Sequence, residues 1–401
     1  MKSSTHSWIC CQIGAREHYA VPRALKLSDL LEEVITDLWI PPGTLMHSWK
    51  LRLDGRFHPA LADARVKAPN VAALTFEMKA SATGTNGWSR IIRRNDWFQQ
   101  HAVKELVQSH RNSSNGNHTV FAYSYAAEHI FKFARERGWR TVLGQIDPGP
   151  VEERIVAGLR QTTAIAESDW EPAPKQYWES WRTECTLADQ IVVNSNWSRQ
   201  ALLAEGVADE KIRVIPLAYE ASTSSFEREY PAAFNPNRPL RVLFLGQINL
   251  RKGVAQLLEA AKLLVDYDIE FWLVGPTQIS IPSGFKQHPR IRWFGSVPRA
   301  DVAKYYKEAD VFILPTLSDG FGLTQLEAQS WKLPLIISQH CGEVVCDGVN
   351  GTVLEEVSGS AIAEALIKLV RSPQILNSMS SRSCVSERFS LERLASSLTT
   401  L

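Results

Sequence analysis

The residues best suited to chemistry lie in the second half of the chain. In LPTLSDGFGLTQLEAQSWKLPLI, Leu314 to Ile336, two carboxylates, Asp319 and Glu327, flank a Gly-Phe-Gly turn. A strand ending at Pro315, the turn Asp319-Gly320-Phe321-Gly322 and a helix from about Leu323 to Lys332 would aim free backbone N–H groups out of the strand end, an arrangement suited to an anion. On that helix Leu323, Leu326, Glu327, Ser330 and Trp331 follow a helical period, which puts Glu327 on the face that the leucines bury. A buried carboxylate is costly unless paired or hydrogen-bonded. Glu327 therefore needs a partner: ligand hydroxyls on one reading, backbone N–H groups or an arginine on the other.

A second loop points the same way. LRVLFLGQINLRKGV, Leu240 to Val254, runs from a strand through Gly246 and Gln247 to Arg251, Lys252 and Gly253 at the start of an amphipathic helix. Two cations at that end crowd the positive pole of the helix dipole. A bound phosphate would resolve the conflict, with a solvated basic loop as the alternative. The glycines follow neither the P-loop nor the dinucleotide spacing, which disfavours an ATPase or a nicotinamide dehydrogenase.

The elements that must carry these loops are legible as runs and periods. Short Val, Ile, Leu and Phe runs recur at 240–245, 269–274, 291–294, 311–314 and 335–338. Between them Val254, Leu257, Leu258, Ala261, Leu264 and Val265 mark one face of a helix. Continuous apolar strands alternating with such helices mean βαβ units and a doubly wound parallel sheet. The first half repeats the grammar in WICCQIG, VFAYS, TVLGQID, QIVVNS and KIRVIPL, with helices at 126–137 and 198–205. Two facing Rossmann-like α/β domains are expected, at 1–218 and 240–383. A proline-containing linker at 219–239 would join them, and a final helix in 384–401 would pack back on the first domain. Ligands of such sheets bind beyond the carboxyl ends of the strands, here in the interdomain cleft.

Bulk properties narrow the partners. In 401 residues, 44 basic against 43 acidic side chains leave no field for a nucleic-acid binder. The first residues lack an apolar run of signal-peptide length, and no apolar run is long enough to span a bilayer, so a soluble, cytoplasmic protein is expected. Six cysteines without CxxC pairs suggest neither a disulfide framework nor a zinc site.

These motifs, in this order, resemble the retaining glycosyltransferases of family 4, which share the GT-B fold and use nucleotide-diphosphate sugars. Asp319-GFGLTQL-Glu327 is similar to the ExxxxxxxE motif of that family. ADQIVVNSNWSRQALLAEGVADEKIRVIP (188–216), CGEVVCDGVNG (341–351) and FSLERLASSL (389–398) are similar to its flanking motifs. The likeness covers most of residues 185–398 and is weaker in the first half. Lys252 matches a diphosphate-binding lysine, while Gln247 stands where the family has an arginine, so the diphosphate would lean on Lys252 with Arg251. Asp319 stands where the family has glutamate.

The resemblance implies that Asp319 and the backbone of Gly320, Phe321, Gly322 and Leu323 hold sugar and phosphate, that Glu327 bonds the ribose, and that Val297 marks the base pocket. In the first domain it implies Gly14 as a close-approach position, Arg16 and His18 as acceptor contacts, and Asp147 as the group orienting the sugar. Asp147 could equally open the turn before Pro148. No metal and no cofactor are expected beyond the nucleotide sugar. The implied activity is transfer of a hexose-type sugar to an acceptor hydroxyl with retention; a nucleotide-sugar 2-epimerase or a non-catalytic glycan binder are the alternatives. The acceptor, glycan, lipid or small molecule, is not encoded legibly. GWSRIIRRNDWFQQH (87–101) mixes aromatics with Arg90, Arg93 and Arg94 and reads as a solvated helix with buried tryptophans or, alternatively, as a peripheral membrane contact. Trp170 to Trp181 could stack on sugar rings or close the core.

Overall fold

The computed structural model describes residues 7–44, 55–110, 118–166, 170–220 and 226–401. Among them, two parallel sheets form. The first holds β1 (Ser7–Gln12), β2 (Leu31–Thr36), β3 (Val66–Lys67), β4 (His118–Tyr123), β5 (Arg140–Gly144), β6 (Gln190–Val193) and β7 (Ile212–Val214). The second holds β8 (Leu240–Leu245), β9 (Ile269–Val274), β10 (Ile291–Gly295), β11 (Val311–Leu314), β12 (Leu335–Ser338) and β13 (Gly351–Leu354). The orders are β3-β2-β1-β4-β5-β6-β7 and β10-β9-β8-β11-β12-β13. Each sheet reverses its winding direction beside its first strand, between β1 and β4 and between β8 and β11. A crevice opens there at the carboxyl ends of the strands.

The apolar runs become strands because both faces are covered: all six residues of β9 are buried. The helix Val254–Leu263 buries Val254, Leu257, Leu258 and Ala261 against the second sheet. Val265, assigned to the same face, lies past the helix end and is 43% exposed. In the first domain Glu184, fully buried, accepts the N–H groups of Tyr125 and Ala127, each at 2.7 Å, and fixes the loop that leaves β4.

Helix Gly87–Ser109 contains the segment read as a lipid contact, and the fold uses most of it internally. Phe98 is buried, Trp97 stacks on Phe76 at 5.3 Å, Arg90 pairs with Glu77, and Arg94 reaches Asp37 at 2.9 Å. Two of the three arginines thus have carboxylate partners within the domain. No helix among the described residues is long and apolar enough to cross a membrane.

The domains meet through main-chain and hydroxyl contacts. At the end of β6, Ser195 caps the helix Asn196–Ala204 and donates its hydroxyl to Gly320 O at 2.8 Å; Trp197 Nε1 donates to Ser318 Oγ at 3.2 Å. The closing helix Leu391–Thr399 lays Leu394, Ala395 and Leu398 against Val21, Ala24 and Leu25 of helix Ala20–Leu27 in the first domain. Part of the linker, 226–239, lies on the second domain, where the Arg228 guanidinium binds the Trp331 and Ala309 carbonyls and Tyr230 OH donates to Asp310 O at 2.8 Å.

A Cβ added at Gly320 would lie 2.3 Å from Ile146 O of the opposite domain. Gly320→Ala should therefore open the interface at a cost of about 1–3 kcal/mol. The expected outcome is a lower unfolding midpoint and a larger radius of gyration in solution scattering. Unchanged values for both would contradict the close approach.

Candidate active site

At the second-domain crevice two loops are tied into one unit. The loop after β8 ends at Gly253, whose φ of +75° is left-handed; a Cβ there would sit 1.8 Å from Pro315 O in the loop after β11. Only glycine allows that contact. Asn249 Oδ1 accepts Lys252 N–H at 3.1 Å, and Arg251 O accepts Leu317 N–H at 2.8 Å. The two basic side chains then project in fixed directions. Lys252 Nζ pairs with the Asp319 carboxylate. Arg251 donates to Ser318 O at 2.9 Å and meets Glu152 Oε2, from helix Pro150–Thr162 of the first domain, at 3.3 Å.

These side chains face an interdomain chamber of about 380 Å³. Gln247, Arg251, Lys252, Asp319, Phe321, Gly322 and Leu323 line it from the second domain, and Arg16, Glu17 and Ile146 from the first. Burial pushes the Asp319 carboxyl up, but the charges of Lys252 and Arg251 and the bonds from Lys252 and Phe321 outweigh it, and its pKa is lowered. Gly320, next to this wall, is held against the first domain by its contacts with Ser195 and Ile146. The loop after β1 reaches the chamber by an uncommon route: Glu17, His18 and Tyr19 all have left-handed φ, at 51°, 52° and 60°. Such strain persists only where surrounding structure enforces it, and it clusters at functional sites.

Other residues named from sequence lie elsewhere. Helix Thr324–Ser330 is shorter than expected and buries Gln325, Leu326, Ala328 and Gln329, while Glu327 is half-buried and shares its chamber-facing side with Leu323 rather than with the buried Leu326. The partner of Glu327 is Tyr306, whose hydroxyl donates to Oε2 at 2.7 Å. Glu327 lines a neighbouring chamber with His18, Arg23 and Arg299, and Leu323 is a wall of both chambers. His18 Nε2 accepts from Arg299 at 2.9 Å; burial and the Arg299 charge lower its pKa, so the imidazole is neutral at pH 7. Val297 packs against the cluster of Leu243, Trp272 and Tyr306 instead of lining either chamber.

Gly14 turns toward Asp37: its N–H donates to Asp37 Oδ1 at 2.8 Å, and Arg56 and Arg94 hold the same carboxylate, each at 2.9 Å. Asp147 closes the turn before Pro148, accepting Gly149 N–H at 2.8 Å and the Tyr125 hydroxyl. It lines two aromatic chambers next to the Lys252 chamber. Sequence reasoning missed Glu152, Tyr306 and Arg299; only Glu152 carried a signal, as an acid in the first turn of a helix opened by Pro150.

Among the described residues, two acidic groups away from the cleft bear on metal binding. Asp266 and Asp268, an Asp-x-Asp pair, precede β9 at the amino end of the sheet, where Asp268 meets Arg290 at 3.8 Å. Glu32, His110 and His118 bring ligand atoms within 4.8 Å of one another. They flank the amino ends of β2 and β4, opposite the cleft.

Comparison with known proteins agrees with this geometry. Residues 239–372, the second domain, match the family model for glycosyl transferases group 1. The capsular polysaccharide biosynthesis glycosyltransferase CapM of Staphylococcus aureus is 24% identical over 201 residues, 45% of this chain and 52% of the relative. The amylovoran biosynthesis glycosyltransferase AmsK of Erwinia amylovora is 27% identical over 195 residues, 45% and 46%. The chain spans about half the length of these curated relatives. Over whole chains, Anabaena HepE in complex with UDP-glucose superposes with a TM-score of 0.60 at 14% identity, covering 99% of this chain and 100% of that one. S. aureus TarM gives 0.66 at 11%, covering 100% and 99%. The fold is the GT-B fold, and its second domain carries the group 1 glycosyl transferase pattern.

Glu152 links the domains and titrates near neutrality. Burial raises its carboxyl to about 7, against the opposing charge of Arg251 and with added repulsion from Asp147 and Asp319. Because the folded-state value is raised, its stabilising contribution is complete below the ordinary value of 4.5 and is lost as pH rises through 7. Between pH 5 and 8 the wild type should lose stability relative to Glu152→Gln, by at most about 3 kcal/mol. Urea unfolding of both proteins at the two pH values measures this, and parallel profiles would refute it.

Proposed function

We propose that this protein is a glycosyltransferase that moves a sugar from a nucleotide-diphosphate sugar to an acceptor hydroxyl, with retention of anomeric configuration and without a metal. The observation that carries the reading is the convergence of Lys252, Arg251, Asp319 and the Phe321–Leu323 loop in one interdomain chamber, with Arg16 on the far wall. Every member of the second-domain set comes from a loop at the carboxyl end of β8 or β11, where phosphates bind such sheets. The glycosyltransferase names of CapM and AmsK and the UDP-glucose bound by HepE agree with it.

Transfer needs stabilisation of a diphosphate leaving group while positive charge grows at the anomeric carbon. In this reading Lys252 turns from Asp319 to the diphosphate, with Arg251 and Arg16 adding positive potential in a site fixed before the reaction. Asp319, released from Lys252, takes sugar hydroxyls. The nucleoside extends past Leu323, the wall shared by both chambers, toward Glu327, whose carboxylate takes ribose hydroxyls. The bond from the anomeric carbon to the phosphate oxygen breaks as the acceptor oxygen bonds on the same face. The acceptor proton passes to the departing phosphate oxygen, so no protein nucleophile is required. Gln247 offers a neutral hydrogen bond where a second cation would strengthen the phosphate grip. A role in polysaccharide or glycolipid synthesis inside the cell fits this chemistry.

The test is a panel of nucleotide sugars, with nucleoside diphosphate release and product configuration read out. Release should persist in EDTA, and Lys252→Ala should lower turnover by about 10²–10³-fold. Binding without release from any donor would overturn the transferase reading. Turnover untouched by Lys252→Ala and Glu327→Ala would overturn the site.

A further inference from the structure

Beside the Lys252 chamber lies a second cavity of about 340 Å³, within the roughly 300–1,000 Å³ range of small-ligand sites. Arg251 is a wall of both, so the two spaces adjoin at the side chain nearest the phosphate loop. A third space lies beside both on the first-domain side, sharing Arg16 and Ile146 with the Lys252 chamber and Tyr125, Asp147 and Tyr177 with this cavity.

Its walls are aromatic and acidic. Tyr177 stacks on Tyr125 with centroids 4.8 Å apart and 17° between planes, Trp88 packs on Tyr177 at 4.8 Å, and Trp178 meets Tyr177 edge-on at 5.1 Å. Two of the indole N–H groups are already engaged: Trp88 donates to Glu171 O at 2.9 Å and Trp178 to Glu153 Oε1 at 3.0 Å. Trp88 and Trp178 therefore offer carbon surface, with their indole donors already spent, and the Tyr177 hydroxyl adds a neutral polar group to the wall. Asp147, Glu152 and Glu153 supply three carboxylates, and the cation in the wall, Arg251, is paired with one of them. Such a site repels anions and accepts hydrogen bonds from hydroxyls, while the rings cover the C–H face of a saccharide.

Resting on the transferase reading above, we propose that this cavity is the acceptor subsite and that the acceptor ring it holds is a neutral sugar. A phosphorylated or carboxylated ring does not suit it. The aromatic segment 170–181, which the sequence left between core and ligand, and Trp88, from the segment read as a membrane contact or a buried helix face, are its sugar platform. Docked there, an acceptor hydroxyl faces the phosphate loop past Arg251.

The probes are neutral saccharides (cellobiose, lactose, mannobiose, N-acetylglucosamine) set against glucose 1-phosphate and glucuronic acid. Tryptophan fluorescence and calorimetry report binding, and nucleotide-sugar consumption reports transfer. At least one neutral saccharide should bind and accelerate nucleotide release, with the charged sugars at least tenfold weaker. Trp88→Ala and Tyr177→Leu should each raise the acceptor KM at least tenfold while nucleoside diphosphate affinity stays within twofold; circular dichroism checks their folding. No binding by any neutral saccharide, a preference for the charged sugars, or equal loss of nucleotide and saccharide affinity would overturn the proposal. Saccharide binding with no donor ever consumed would instead overturn the transferase reading and leave the subsite standing.

Discussion

The Lys252–Asp319 ion pair is the interaction around which the cleft is organised. Both partners are mostly buried, at 14% and 15% side-chain exposure, so each charge needs the other until something replaces it. The loops that present them are locked together by Gly253 against Pro315 and by Arg251 O against Leu317. A diphosphate entering the chamber meets an ammonium whose counter-ion is already in place to bind sugar hydroxyls. The resting pair thus keeps both charges satisfied, and ligand entry exchanges one partner for another rather than creating a buried charge.

Everything else in the fold brings a first-domain surface to that pair. Ser195 and Ile146 clamp Gly320 from across the cleft, Glu152 reaches Arg251, and the left-handed run 17–19 delivers Arg16 to the chamber wall and His18 to Arg299. Three consecutive left-handed residues and a carboxyl titrating near 7 are costs in stability. They sit where the domains face each other, as expected if binding rather than stability shaped the interface.

The sheets and the phosphate loops were legible in the sequence because they rest on local signals: apolar runs for β8 to β12, a helical period after Gly253, glycines at turns. The elements missed were those whose signal is weak or cancelled. β2, LEEVIT, carries two glutamates that tertiary partners absorb, His118 and His110 for Glu32 and Arg65 for Glu33, and β13, GTVL, opens on a glycine and a threonine and so lacks the continuous apolar run of its neighbours. Site residues followed the same division. Lys252, Arg251 and Asp319 were readable from loop composition and family likeness. The orientation of Glu327 was not, since a seven-residue helix buried on most sides has no single apolar face. Asp147 was read either as a group orienting the sugar or as the opening of a turn, and Gly14 as a close-approach position; the hydrogen bonds they make, to Tyr125 and Asp37, span 22 and 23 positions and leave no local signal. Glu152 acts through Arg251, 99 positions away.

If the ion pair is the resting substitute for a bound diphosphate, Asp319 competes with the ligand for Lys252. Calorimetric titration of wild type and Asp319→Asn with UDP, GDP and ADP measures that competition directly. The best-bound diphosphate should bind Asp319→Asn several-fold more tightly than wild type, because the internal counter-ion is gone. Weaker binding by Asp319→Asn, or no diphosphate binding to either protein, would contradict the account.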